Sequence, residues 1–106
     1  MVTLCFSARL KAQQPIGYID FKKHLGKTAT LCDTVYGVKL ISDTLTYIYL
    51  GGNYPNQKFT VVVVGNKLVL DWVNLKKKHL CVTGVLELYK NTLQITAAEP
   101  DRITVN

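Results

Sequence analysis

A long alternating segment with one internal glycine is the sequence feature that most constrains the fold. From about residue 27 to 41 the letters KTATLCDTVYGVKLI alternate and are rich in β-branched residues, which predicts a strand. Ala29, Leu31 and Val35 fall on its apolar face. Gly37 interrupts the alternation, and a glycine inside a strand often marks a bulge or a bend. We therefore expect one long, bent strand. Its other face carries Thr28, Thr30, Cys32, Thr34 and Tyr36.

Four further segments have strand patterns and are separated by turn residues. In the second, LTYIYL, Tyr47 and Tyr49 share one face and Ile48 and Leu50 share the other. The third ends in four consecutive valines, so we expect it to be partly covered on both faces. The hairpin turn between the last two strands is Lys90-Asn91. The predicted bounds of these strands are 45–50, 58–64, 79–89 and 93–99.

Two segments have helical or irregular patterns. Residues 68–78, LVLDWVNLKKK, have apolar residues near helical spacing and a basic end, which predicts a short helix with Trp72 in the core. Residues 16–25 predict a short helix or an irregular lead-in, with Ile16, Ile19 and Phe21 making apolar contacts. Five strands with one short helix between the third and fourth predict an all-β fold, a five-stranded Greek-key OB-fold barrel.

Length and composition indicate one domain with its own core. The chain has 106 residues, 48% hydrophobic and 19% charged, which is typical of a globular protein, and no apolar stretch is long enough to span a bilayer. We expect an N-terminal arm or signal-peptide remnant over residues 1–15 and a single OB-fold domain over 16–106. The letters TLCFSARLKAQQP resemble the end of a secretory signal that lacks its charged start. The location is therefore periplasmic or secreted if a longer precursor carries the signal, and otherwise cytoplasmic.

Three segments carry a resemblance to a known family. HLGKTATLCDTVYGV, YLGGNYPNQKFTVVVVG and LCVTGVLELYKNTLQITAAEPDRI are similar to the small bacterial OB-fold domains of the nucleic-acid-binding-like type. The similarity extends from Lys22 to Ile103, and its most specific parts are Tyr-Pro-Asn-Gln at 54–57 and Val-Thr-Gly at 82–84. The resemblance implies an OB-fold with a nucleic-acid-binding role. Asp33 departs from it, because the family has glycine after the cysteine, and the segment before Lys78 lacks the family's acidic and proline residues.

Charge and aromatic residues indicate where a ligand would bind. Thirteen Lys and Arg against seven Asp and Glu give a net charge of +6, which favours a polyanionic partner. OB-folds usually bind single strands on the face of the second and third strands, rimmed by nearby loops. Tyrosines there either stack on bases or simply cover the sheet; Phe59 on the same strands is expected in the core. The predicted contact residues are Tyr47, Tyr49, Lys39, Lys58, Tyr54, Tyr89 and Lys90.

A second basic feature is the run from Lys76 to Lys78, the densest positive charge in the sequence. Such a run is most simply a solvated helix end that complements the helix dipole, although a phosphate contact is the alternative. It is predicted to lie at the far end of the barrel from the binding face.

The cysteines and histidines are predicted to have structural roles. Cys32 and Cys81 lie on neighbouring antiparallel strands of the predicted barrel, so they either form a cross-strand disulfide in an exported protein or remain buried thiols. The sequence spacing of His24 and His79 from the cysteines predicts no metal site, and no cofactor is predicted.

Two functions from different classes remain open. No catalytic motif is present, so an enzyme is not expected. The first hypothesis is a module that binds single-stranded nucleic acid weakly and with little sequence preference. The alternative is an exported module that uses the same barrel face for a protein, a peptide or an oligosaccharide.

Overall fold

The computed structural model describes residues 15–105, and its fold is dominated by β-strands. Three short 3-10 helices occur in this range, at Tyr18–His24, Trp72–Asn74 and Pro100–Arg102. The predicted N-terminal arm lies outside the described residues, apart from Pro15. The strands are β1 (Thr28–Ser42), β2 (Leu45–Leu50), β3 (Phe59–Val64), β4 (His79–Tyr89), β5 (Thr92–Ala97) and β6 (Ile103–Val105).

The six strands form one mixed sheet in which five strands close a ring. The order is β1-β2-β3-β5-β4-β6, and β1 also pairs with β4. The ring therefore runs β1, β2, β3, β5, β4 and back to β1. The β3–β5 pair is parallel, and the other pairs are antiparallel.

Strand β1 joins two parts of the ring, as its length and glycine predicted. Residues 28–34 pair with β4, and residues 35–42 pair with β2. The register with β2 shifts between Val35 and Gly37, where the strand changes partner. The prediction of a long strand that bends at Gly37 is confirmed, because one strand cannot follow both neighbours without a bulge or bend.

The core lies inside the ring and contains the predicted apolar faces. Ala29, Leu31 and Val35 of β1 are buried, and so are Ile48 and Leu50 of β2. Burying one such side chain stabilises the fold by about 1.5–3 kcal/mol. Phe59 is fully buried, which confirms its expected place in the core. The largest other buried side chains are Leu80, Leu86, Leu93, Ile95, Val61 and Val82.

Gly84 of β4 lies close to residues of β5. A Cβ atom on this residue would lie 2.7 Å from Ile95 Cγ2 and 2.7 Å from the carbonyl oxygen of Thr96. No side chain fits there without moving backbone, so the glycine of the Val-Thr-Gly segment is an architectural requirement of this strand pair.

The predicted helix over residues 68–78 is wrong in extent. A single 3-10 turn, Trp72–Asn74, occupies its centre. Val69 and Val73 are 80% and 88% exposed, so the segment has no continuous buried stripe that would stabilise a helix. Lys77 has a φ of 76°, and its N–H donates to the carbonyl of Val35. Hydrogen bonds to β1 therefore replace those of a helix end, while Trp72 is half-buried against the core.

Two terminal segments also differ from the predictions. Ile103 and Val105, which lie outside the five predicted strands, form β6 opposite Val82 and Leu80. Three residues are too few to show a strand period in a sequence. Near the start, the lead-in is a 3-10 helix, but Ile19 is 87% exposed and makes none of the expected core contact. Within the described residues we find no helix long and apolar enough to cross a membrane.

Candidate functional site

The site that combines most of the predicted contact residues is an open cavity of about 400 Å³ on the outer surface of β2, β3 and β5. We name it the tyrosine cavity. Six of the seven predicted contact residues line it, and Lys58 is the exception. Its lining residues are Lys39, Tyr47, Tyr49, Tyr54, Pro55, Gln57, Thr60, Val62, Tyr89, Lys90, Thr92 and Gln94.

The floor of the tyrosine cavity follows from strand register. Tyr49 lies opposite Thr60, which in turn lies opposite Gln94 on β5. A parallel row begins at Lys39 of β1 and continues through Tyr47. Side chains at every second position of a strand point to the same face, so these rows bring tyrosine, lysine and amide groups together on one side of the sheet.

The loop after β2 supplies a further aromatic side chain of the cavity, Tyr54. The rings of Tyr49 and Tyr54 have centroids 5.3 Å apart and are tilted by 38°, an ordinary aromatic pair. Tyr49 is only 9% exposed, whereas Tyr54 is 68% exposed. A Cβ on Gly52 would lie 2.7 Å from the carbonyl oxygen of Asn56, so the tight turn that presents Tyr54 requires glycine there. The Tyr54–Pro55 peptide bond is cis.

Burial raises the pKa of Tyr49, and the neighbouring phenols of Tyr54 and Tyr47 raise it further. Tyr49 remains a neutral hydrogen-bonding phenol throughout the physiological pH range.

The β4–β5 hairpin closes another side of the tyrosine cavity. Lys90 and Asn91 have φ values of 52° and 66°, which is the left-handed conformation of a two-residue hairpin turn. The Lys90 amine lies 5.4 Å from the centroid of the Tyr89 ring. Tyr89 is 58% exposed, so an aromatic face and a positive charge are presented together at the cavity edge.

Lys58 is directed elsewhere by an acidic neighbour. Its amine lies 3.6 Å from the Asp33 carboxylate and 6.0 Å from the centroid of the Tyr18 ring. The same carboxylate accepts a hydrogen bond from the Thr34 N–H. Asp33, the residue that departs from the family pattern, thus lies beside Lys58, which was predicted to contact the ligand.

Sequence reasoning missed the polar groups of the cavity floor. Gln57 donates a hydrogen bond from Nε2 to Thr60 Oγ1 at 2.9 Å. Its Oε1 is buried and has no hydrogen-bond partner among the described residues. Gln94 lies opposite Thr60 on the same floor. Polar residues at alternate positions of β5, Thr92, Gln94 and Thr96, were the signal that could have identified this face.

The lysine run from Lys76 to Lys78 does not line the tyrosine cavity. All three residues are exposed, and Lys78 borders a separate cavity with Asp71 and Asn74. The run follows the 3-10 turn rather than a helix, so no extended helix dipole lies behind it.

The cysteines meet where β1 pairs with β4. Cys32 lies opposite Cys81 in the β1–β4 pairing, with Cα atoms 4.0 Å apart, and a disulfide joins them in this structure. His79 is two residues before Cys81 on the same strand. The ligand atoms of the two cysteines and His79 all lie within 4.8 Å of one another, a proximity that the sequence spacing did not suggest. We name these three residues the cysteine–histidine cluster.

No protein-family model matches this sequence, and the search among curated proteins finds no match. Solved structures do match: an aspartyl tRNA synthetase from Entamoeba histolytica aligns over 98% of this chain with a TM-score of 0.62 and 12% sequence identity. This chain spans 24% of the length of that synthetase chain. At this level of identity, the likeness shows a shared fold alone.

Proposed function

We propose that the chain is an OB-fold module that binds single-stranded nucleic acid in the tyrosine cavity, weakly and with little sequence preference. The observation that carries this proposal is the gathering of four tyrosines and two lysines around one open cavity of about 400 Å³. Aromatic faces that stack on bases, combined with amines that attract phosphates, are the usual means of binding single strands without reading sequence.

The fold supports the same proposal. A closed ring of five strands, with the 3-10 turn between β3 and β4, agrees with the OB arrangement. In such folds the surface of the second and third strands and the loop between the fourth and fifth contact oligonucleotides, and the tyrosine cavity occupies those elements here. The structurally similar synthetase acts on tRNA, as its name states, which is compatible with a nucleic-acid partner.

Exposure suggests different roles for the four tyrosines. Tyr54 and Tyr89 are mostly exposed, so each has a free face on which a base could stack. Each stacked base contributes about 1–3 kcal/mol to binding. Tyr49 is buried beside Tyr54 and would support that ring rather than meet a base. Lys39 and Lys90 would attract phosphates from opposite sides of the cavity.

We propose further that the module binds without catalysing a reaction. The residues that line the tyrosine cavity include no histidine, aspartate or glutamate, the side chains that most often act as general bases.

Fluorescence titration of the full chain with a labelled oligothymidine and a labelled duplex, at about 50 mM and about 200 mM salt, tests this function. We expect single-strand binding that weakens with salt, and weaker binding of the duplex. No salt-sensitive binding at the lower salt concentration would overturn the nucleic-acid proposal. The same titration with oligosaccharides would then test the alternative use of the cavity.

A further inference from the structure

The cysteine–histidine cluster provides soft and borderline metal ligands, and none of its three residues lines the tyrosine cavity. Cys32 and Cys81 are half-buried, and His79 is exposed. Because His79 and Cys81 are two positions apart on β4, their side chains leave the same face of the strand. Cys32 faces them from β1. Cys32 is far from the other two residues in the sequence, and the β1–β4 pairing brings all three to one face.

The three ligand atoms are close enough to reach one tetrahedral ion once the disulfide is reduced. Zinc binds thiolate sulfur at about 2.3 Å and imidazole nitrogen at about 2.0–2.1 Å, so two ligand atoms of such an ion lie roughly 3.3–3.8 Å apart. The ligand atoms of the cluster lie within 4.8 Å of one another, and the two sulfur atoms, which are bonded to each other in the disulfide, would separate to that spacing by side-chain rotation after reduction. The paired strands hold the Cα atoms in place, since Cys32 and Cys81 lie within a continuous ladder of seven residue pairs.

We propose that, when the Cys32–Cys81 disulfide is reduced, Cys32, Cys81 and His79 bind a zinc-class divalent ion, and that the disulfide closes this site. Two thiolates and one imidazole are a ligand set that zinc accepts, with the fourth position left to water. In the oxidised protein both sulfur atoms are engaged with each other, and the imidazole of His79 alone remains as a ligand.

The chemistry balances with a phosphine as the reductant. One phosphine and one water molecule convert the disulfide to two thiols and a phosphine oxide; the phosphorus is oxidised, the S–S bond breaks, and water supplies both protons. Binding of the divalent ion then releases the two thiol protons as the metal–sulfur bonds form. The neutral imidazole adds its lone pair without losing a proton.

Cobalt(II) titration of the full chain, followed by absorption spectroscopy, tests this site. The Cys5→Ser background removes the third cysteine, and a phosphine reduces the protein without supplying a competing thiol. We expect one equivalent of Co²⁺ to give thiolate-to-cobalt charge-transfer absorption in the reduced protein, and Zn²⁺ to displace it. The oxidised protein should show no such absorption.

Variants identify the ligands. Cys81→Ser should abolish the two-thiolate spectrum. His79→Ala should weaken binding by at least the roughly 10-fold to 100-fold that loss of a metal-site partner costs, whereas the control His24→Ala should bind as the parent does. Circular dichroism checks that the reduced protein stays folded. A folded, reduced protein without the cobalt absorption would overturn the proposal, as would binding that His79→Ala leaves unchanged; unfolding on reduction would overturn it as well.

Discussion

The tyrosine cavity and the lysine run from Lys76 to Lys78 are both positively charged, but they differ in shape and in what surrounds the charge. The cavity has two lysines, four tyrosines and a concave polar floor. The run has three exposed lysines after a short turn, and Lys78 borders a cavity that also contains Asp71. The difference teaches that the densest charge in the sequence lies apart from the cavity that combines charge with aromatic faces. We propose that the cavity, with its aromatic faces and concave shape, is the better ligand site.

The two regions also differ in how the chain makes them. The lysine run is one contiguous stretch, whereas the cavity gathers residues from β1, β2, β3, β4, β5 and two loops. Only the closed ring brings Lys39 and Lys90, which are far apart in sequence, to one surface.

Removing both exposed tyrosines should give the largest effect on binding. We expect Tyr54→Ala with Tyr89→Ala to weaken oligothymidine binding by roughly 2–6 kcal/mol, because each stacked base contributes about 1–3 kcal/mol. Fluorescence anisotropy measures the dissociation constants. Tyr36→Ala is the matched control, since Tyr36 is exposed on β1 and does not line the cavity. Equal losses of affinity in the control and the double variant would show that the cavity tyrosines have no special role in binding.

Charge removal should distinguish the two basic regions next. Lys39→Gln with Lys90→Gln should reduce the slope of log affinity against log salt by about 0.7 for each lost phosphate contact. Lys76→Gln with Lys77→Gln makes the same charge change outside the cavity, and we expect it to leave the slope nearly unchanged. Titrations over a series of salt concentrations measure both slopes. If the substitutions in the lysine run reduce the slope as much as those in the cavity, charge alone governs binding.

Removal of an acidic residue close to the cavity floor should have a smaller effect, and it should strengthen binding. Glu87 lies opposite Gln94 at the end of a floor row and is exposed. Glu87→Gln should raise the affinity by no more than about 1 kcal/mol, because a surface charge is well screened. Glu99→Gln serves as the control, since Glu99 lies 3.4 Å from Lys67, away from the cavity. An equal gain in both variants would show a net-charge effect rather than a local one.

The smallest effect concerns pH and the desolvated floor of the cavity. Burial raises the pKa of Tyr49 in the folded state, so the unfolded chain loses the phenol proton first as the pH rises. The contribution to stability is complete below about pH 10 and is lost as the pH rises from there through the folded pKa. Denaturant unfolding at about pH 8 and above about pH 10 should show a steeper loss for the parent protein than for Tyr49→Phe. Equal losses of stability in the two proteins would show that the Tyr49 hydroxyl group is not desolvated.

Local patterns in the sequence were sufficient to predict most strands. β2 and β4 have the predicted bounds, and β1 bends where Gly37 predicted, because alternation and turn residues act over short distances. The helix over 68–78 could not be judged in this way. Its conformation depends on the bond that the Lys77 N–H donates to the Val35 carbonyl and on the bond that the Val35 N–H donates to the Lys78 carbonyl. Val35 lies far from both lysines in the sequence.

The tyrosine cavity was predictable in its aromatic and basic residues but less so in its polar floor. Tyr47 and Tyr49 alternate with buried residues on β2, so their shared face followed from the period of a strand. The register that sets Thr60 beside Gln94, and the pairing of Lys58 with Asp33, depend on strands that meet only in three dimensions. The proximity of His79 to the cysteines depends on the β1–β4 pairing in the same way.

The most direct test of the tyrosine cavity as the binding surface is a map of backbone amide chemical shifts during titration with unlabelled oligothymidine. We predict that the largest changes occur at Tyr47, Gln57, Lys90 and Gln94, while the amides from Lys76 to Lys78 stay almost unchanged. Largest changes in the lysine run, with the cavity amides unaffected, would contradict the account.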